Sequence, residues 1–218
     1  MGKDVLTERN EKLINHLIKA KAMKTKIIIE AFKKVPRHNF VLKTHLDQAY
    51  EDIALPIVGS STISQPYTVA TMLEHLQPKK NERVLEIGTG SGWQACLLAY
   101  CIGSKGKVVT IEIDWDVARF AKENMKSTKI KNIKNVEGDG SMGYEREAPY
   151  DKIIYTAATP QIPDIVIKQL KVGGKIVAPV GDLFEQVLTV VDKVSEKEIK
   201  KQKFDSFTFV PLRGKLGI

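Results

Sequence analysis

The chain has 218 residues, 43% of them hydrophobic and 28% charged, and a net charge of +8. That length suits one domain with a small extension, and the apolar share supports a packed core and excludes wholesale disorder. No apolar run reaches the roughly 18 residues of a membrane span. The opening Lys3, Asp4, Glu8, Arg9, Glu11 and Lys12 make no secretory leader. A cytoplasmic protein, off the membrane and monomeric, is expected.

The positive charge suits an anionic partner such as nucleic acid or an acidic peptide. The lysines are scattered, however, and rarely alternate with aromatic residues. A solvated lysine-rich surface is the simpler reading, and no nucleic-acid partner is expected. Cys96 and Cys101 lie in one apolar stretch, residues 95–102, and read as buried thiols, not as a disulfide framework or a zinc site. His16, His38, His45 and His75 show no metal-ligand spacing, so no metal is expected.

Along the chain, residues 6–35 read as helical. Leu13, Ile14, Leu17 and Ile18 share one face, Ile27, Ile28, Ala31 and Phe32 repeat the pattern, and Pro36 ends it. Residues 40–64 read as a long loop, with Pro56, Gly59 and a Ser-Ser-Thr cluster, and such loops often carry function. A helix is predicted over 66–76, a strand over 83–87 and a helix over 92–100. Strand 107–111, helix 117–125, strand 133–136, strand 151–155, helix 165–170 and strand 175–178 come next. This alternation predicts an α/β fold with a doubly wound, mostly parallel sheet. Residues 187–191 and 204–210 are rich in β-branched and aromatic residues and read as antiparallel closing strands, which makes seven. Residues 1–64 are expected to form N-terminal helices and a covering loop, and 65–218 the catalytic core, in one compact unit.

Chemistry concentrates after the first core strand. Glu86-Ile87-Gly88-Thr89-Gly90-Ser91-Gly92 joins a strand to a helix, and its glycines permit a tight turn and close approach of a ligand to the backbone. A nicotinamide site would need a third small residue where Trp93 stands. Glu112, with Ile113 beside it, ends the next strand 20 residues past Gly92, where a carboxylate can accept hydrogen bonds from ribose hydroxyls. Asp139-Gly140 comes after the third strand and alone reads as an ordinary turn.

The pattern Glu-x-Gly-x-Gly-x-Gly resembles the first motif of class I methyltransferases. That resemblance implies a Rossmann-like methyltransferase fold and S-adenosylmethionine as cofactor, released as S-adenosylhomocysteine. It implies that Glu86 serves the cofactor's ammonium group, Glu112 its ribose and Asp139 its adenine. Further segments resemble the protein-L-isoaspartate O-methyltransferase family over residues 35–212. They are Val35-Pro36-Arg37-His38-Asn39-Phe40-Val41, the block 49–57, Thr62-Ile63-Ser64-Gln65-Pro66-Tyr67, residues 148–154, and Phe209-Val210-Pro211-Leu212. Gly59-Ser60-Ser61 and the Lys-rich 183–203 depart from the family pattern.

The resemblance implies methylation of the free α-carboxylate of L-isoaspartyl residues in damaged peptides and proteins, which starts repair through a methyl ester and a succinimide. From the residues alone Ser64 reads equally as a cap of the helix that Pro66 opens; the resemblance implies that it orients the carboxylate and that Thr62 and Ile63 line the cofactor edge. It places Ala54, Leu55, Pro56, Val210, Pro211 and Leu212 at the substrate. A carboxylate is already ionised at neutral pH, so no general base is required, and none is evident. Three rivals are weaker. The Asp/Asn-Pro-Pro-aromatic segment of amino-methylating DNA enzymes is absent at 155–160, Trp93 disfavours a dehydrogenase, and the intact set argues against a non-catalytic binding protein.

Overall fold

The computed structural model describes residues 3–217. The helical zone expected over 6–35 is two helices, α1 (Lys3–Lys19) and α2 (Lys26–Lys34). The chain breaks at Lys21, which takes a left-handed φ of 60°. It restarts where the Glu74 carboxylate accepts the amides of Lys24 and Thr25, both at 2.6 Å, and the Thr25 hydroxyl at 2.7 Å. A carboxylate 49 residues away thus supplies the acceptors that a local cap would otherwise provide.

Residues 37–40 form a short 3-10 turn that leads into the expected loop, and residues 43–48 form another inside it. A small antiparallel hairpin comes next, β1 (Leu55–Pro56) with β2 (Thr62–Ile63). Helix α3 (Pro66–Leu76) starts with Pro66 at its first turn, where no amide is needed, and stops at Gln77 in the left-handed region.

The core alternates β3 (Arg83–Ile87), α4 (Trp93–Ile102), β4 (Lys107–Glu112), α5 (Trp115–Lys126), β5 (Ile133–Glu137), β6 (Tyr150–Tyr155), α6 (Asp164–Lys168) and β7 (Leu170–Gly181). Strands β8 (Gln186–Lys193) and β9 (Ile199–Phe207) complete a seven-stranded sheet in the order β5-β4-β3-β6-β7-β8-β9. The first five strands are parallel, and β8 and β9 are antiparallel to their neighbours.

Several predicted boundaries move: β7 extends to Leu170–Gly181 and β9 starts at Ile199. Leu170 leaves the helix to pair with Tyr150 of β6. The last strand ends at Phe207, because residues 208–212 turn away to lie beside Ala158, whose amide donates to the Val210 carbonyl at 2.8 Å and whose carbonyl accepts the Leu212 amide at 2.8 Å.

Strand alternation divides the core. Val84, Val108, Ile154 and Val177 face a layer that includes α1 to α5, whereas Leu85, Val109, Ile153 and Ile176 face α6 and Leu212. The N-terminal helices share the first cluster with the sheet. Trp93 joins them: its ring meets Phe32 edge-on at 5.2 Å, and its indole donates to the Val35 carbonyl at 3.0 Å. Each such buried aromatic contributes about 1.5–3 kcal/mol by burial alone. The large residue that breaks the nicotinamide spacing is therefore the bolt between glycine loop and helical cover.

Candidate cofactor and substrate site

Strand β3 stands between β4 and β6, so the crevice beyond its carboxyl end is the switch point of the sheet, where ligands of open α/β folds bind. The glycine loop occupies it. Gly88 (φ +96°) donates its amide to the Ile111 carbonyl at 2.9 Å, and a Cβ there would stand 2.3 Å from the Thr156 hydroxyl. The Thr156 hydroxyl in turn donates to the Gly88 carbonyl. Gly92 (φ +83°) packs against α5, with Met125 Cγ and the Ala121 carbonyl within 3.0 and 3.3 Å of where a Cβ would lie. Only glycine fits at both places.

The loop is the floor of a cavity. Its wall brings together Thr62, Ile63, Ser64, Gly88, Thr89, Gly90, Ser91, Glu112, Ile113 and Gly140, with Pro211 and Leu212 opposite. One Glu112 oxygen accepts the Gly90 amide at 3.1 Å and the other the Asp114 amide at 3.1 Å. The carboxylate is thereby fixed with lone pairs still free for a diol. These features fit S-adenosylmethionine: close backbone approach at Gly88 and Gly90, a held carboxylate, and apolar neighbours in Ile111 and Ile113.

Three expected contacts lie off this wall. Gly92 is behind the loop, turned towards α5. Asp139 accepts the Ser141 amide at 2.8 Å and, from the C-terminal segment, the Lys215 amide at 2.8 Å. Its carboxylate is engaged by the tail, and Gly140 is the residue presented to the cavity.

Glu86, the third, is fully buried beneath the loop. Thr89 and Thr110 share a hydrogen bond of 2.8 Å, and the Thr110 hydroxyl donates to Glu86 at 2.6 Å. The Gln94 side chain also interacts with the carboxylate and offsets a small part of the cost of its burial. Burial pushes the Glu86 carboxyl up to about 8. This placement gives no direct contact with an ammonium group; it makes stability depend on pH. The group is neutral in the fold and ionised in the unfolded chain between pH 4.5 and 8, so its contribution is intact below pH 4.5 and is lost as pH rises towards 8. Glu86→Gln is therefore expected to make the cofactor-free protein more stable at pH 8 by about 3–5 kcal/mol and to change little at pH 4.5. Urea unfolding of both proteins across that range checks it; equal pH slopes would contradict it.

The β1–β2 hairpin covers the cavity and is held from below by Arg37. This side chain is 1% exposed, and its guanidinium donates to the carbonyls of Ala49 (2.9 Å), Glu51 (3.4 Å), Ile53 (2.8 Å), Ile63 (3.4 Å) and Ser64 (3.2 Å). It also lies 5.6 Å from the Trp93 ring centroid. Burial lowers its pKa only to about 10, so it remains a cation at neutral pH. Asp52 accepts the Tyr67 amide at 2.8 Å and so caps α3 from outside, while Gln65 stands at the N-cap position without a side-chain cap. The Ser64 hydroxyl does not cap the helix and has no protein partner among the described residues.

A second cleft opens beside the first. Asp52, Ile53, Ala54, Phe184, Phe207, Phe209 and Val210 line it, and it shares Thr62, Ser64, Thr156 and Val210 with the cofactor cavity. Of the residues expected at the substrate, Ala54 and Val210 reach this cleft. Pro211 and Leu212 lie on the cofactor side. Leu55 is buried in the core and Pro56 is exposed on the outer face of the hairpin, so neither lines a cavity. Arg37, Asp52 and Thr156 carried no role in the sequence reading. Charged residues around an aperiodic loop show no pattern that predicts which carbonyl or amide they will meet.

A family model for Protein-L-isoaspartate(D-aspartate) O-methyltransferase (PCMT) matches residues 8–217. The chain belongs to this family. A relative from Archaeoglobus fulgidus, Protein-L-isoaspartate O-methyltransferase 2, is 43% identical over 210 residues, 96% of this chain and 95% of its own. A solved protein-L-isoaspartate O-methyltransferase is 32% identical with a TM-score of 0.86, covering 95% of this chain and 67% of that one. A Plasmodium falciparum protein in complex with S-adenosyl-L-homocysteine has the same fold, with a TM-score of 0.84 at 24% identity over 94% of this chain and 98% of that one. Methyltransferases of this family use S-adenosylmethionine. Among the described residues no helix is long and apolar enough to cross a membrane, and no group of three or more His, Cys, Asp or Glu is placed to hold a metal.

Proposed function

We propose that this chain methylates the free α-carboxylate of L-isoaspartyl residues in damaged peptides and proteins, with Ser64 at the point of transfer. One observation carries the assignment of the site: Ser64 and Thr62 stand in the wall common to the two cavities, and the Ser64 hydroxyl is unclaimed. S-adenosylmethionine, when bound, supplies a methyl group on a cationic sulfur and leaves as S-adenosylhomocysteine. The Ser64 hydroxyl donates to one oxygen of the substrate carboxylate and leaves the other to attack. Arg37 holds the backbone of Ile63 and Ser64, so that the donor meets the carboxylate in one orientation. Glu112 holds the ribose end. Val210 and Thr156 close the junction against water. No side chain needs to take a proton, because the nucleophile is already an anion at neutral pH.

We further propose that the protein acts as a monomer in the cytoplasm on aged polypeptides. Radiolabelled S-adenosylmethionine with two peptides, identical but for L-isoaspartyl or normal aspartyl at one position, tests the reading. Base-labile label on the isoaspartyl peptide alone is expected. Equal labelling of both, or none while the cofactor binds, would sink it.

A further inference from the structure

Strand β9 is the last strand of the sheet, and among the described residues nothing pairs with its outer edge. Alternate residues of such an edge direct N–H and C=O groups outward, a template for another extended chain. This edge runs into the proposed substrate cleft, whose lining includes Ser206, Phe207, Thr208, Phe209 and Val210. Upstream on the same strand stand Lys200, Lys201 and Lys203, all exposed and without an ion pair among the described residues. Exposed lysines on an edge also discourage unwanted strand pairing. That role alone does not require the edge to end in the cleft.

We propose that the β9 edge is an electrostatic guide for the polypeptide that flanks the modified residue, and that its occupant is an extended substrate segment carrying acidic side chains. This rests on the methyl-transfer reading of the site. Charge complementarity and continuity with the cleft argue for it. A strand advances about 3.3 Å per residue, so a chain paired along β9 from the cleft meets the three lysines about three to six residues from its mouth. The cleft itself carries Asp52 and Glu185. Acids are therefore disfavoured next to the isoaspartyl residue and favoured further along the chain. The solvated lysines, read from the sequence as a bland surface, become here a selector of distant acidic residues. Such rim charges act mainly on capture and are screened within about 8 Å at physiological salt.

The test uses the full-length protein and L-isoaspartyl peptides. One is a short core peptide. The others add an eight-residue flank, on the N-terminal side in one series and on the C-terminal side in another, with either Glu or Gln at alternate positions. At low ionic strength the Glu flank on one of the two sides is expected to raise kcat/KM about five- to tenfold over Gln, through KM, and 0.5 M salt is expected to erase the gain. The triple variant Lys200→Gln, Lys201→Gln, Lys203→Gln is expected to lose the gain while methylating the short peptide within about twofold of the parent. Its unfolding midpoint separates lost charge from lost fold. No gain on either side, or a gain that survives in the folded triple variant, overturns the guide. Failure to methylate even the short peptide would instead overturn the methyl-transfer reading.

Discussion

Arg37→Lys is expected to keep the buried charge and lose most of the activity. The guanidinium reaches carbonyls from two stretches of chain, Ala49, Glu51 and Ile53 on one side and Ile63 and Ser64 on the other. A planar fork with five donors can span them; a compact ammonium with three cannot. Carbonyls left buried and unpaired cost about 1–3 kcal/mol each. Arg37→Lys should then destabilise the fold by about 2–3 kcal/mol, and Arg37→Ala by about 3–5 kcal/mol. The effect on catalysis is separate. With the hairpin free to shift by an ångström, the Ser64 donor misses its mark, and kcat falls about a hundredfold. Urea unfolding and methyl-transfer kinetics below the unfolding temperature distinguish the two. A lysine variant as active as the parent would show that the carbonyl clamp does not position the site.

The regular elements were legible because their signals are local. Helix α3 begins and ends where Pro66 and the end of the apolar pattern place it, and β3 and the glycine loop arise from residues within a single stretch. The features that escaped are made by distant partners. Glu74 accepts the amides at the start of α2 and Asp52 caps α3, so the capping acceptor of each helix comes from another segment of the chain, although Pro66 marks locally where α3 begins. Asp139 reads as a loop acid free for a ligand, yet the amide of Lys215, far along the chain, lies against it. Glu86 sits in a strand buried along most of its length, where alternation cannot say which face its side chain takes. The glycine spacing and the Glu112 position survive translation into geometry because each depends on one strand end. The substrate side does not, because three separate segments build it.

The central claim is that two cavities meet at the Ser64 hydroxyl. Removing that hydroxyl touches neither the glycine loop nor Glu112, so the cofactor should still bind. A lost hydrogen bond to a charged group is worth about 1.5–3 kcal/mol, which is roughly 10- to 150-fold in rate. The most direct measurement is the single-turnover rate of methyl transfer to an L-isoaspartyl peptide by Ser64→Ala, taken beside its cofactor affinity by calorimetry. The account predicts affinity within about threefold of the parent and a rate at least about tenfold lower. An unchanged rate with unchanged affinity would place the transfer elsewhere and contradict it.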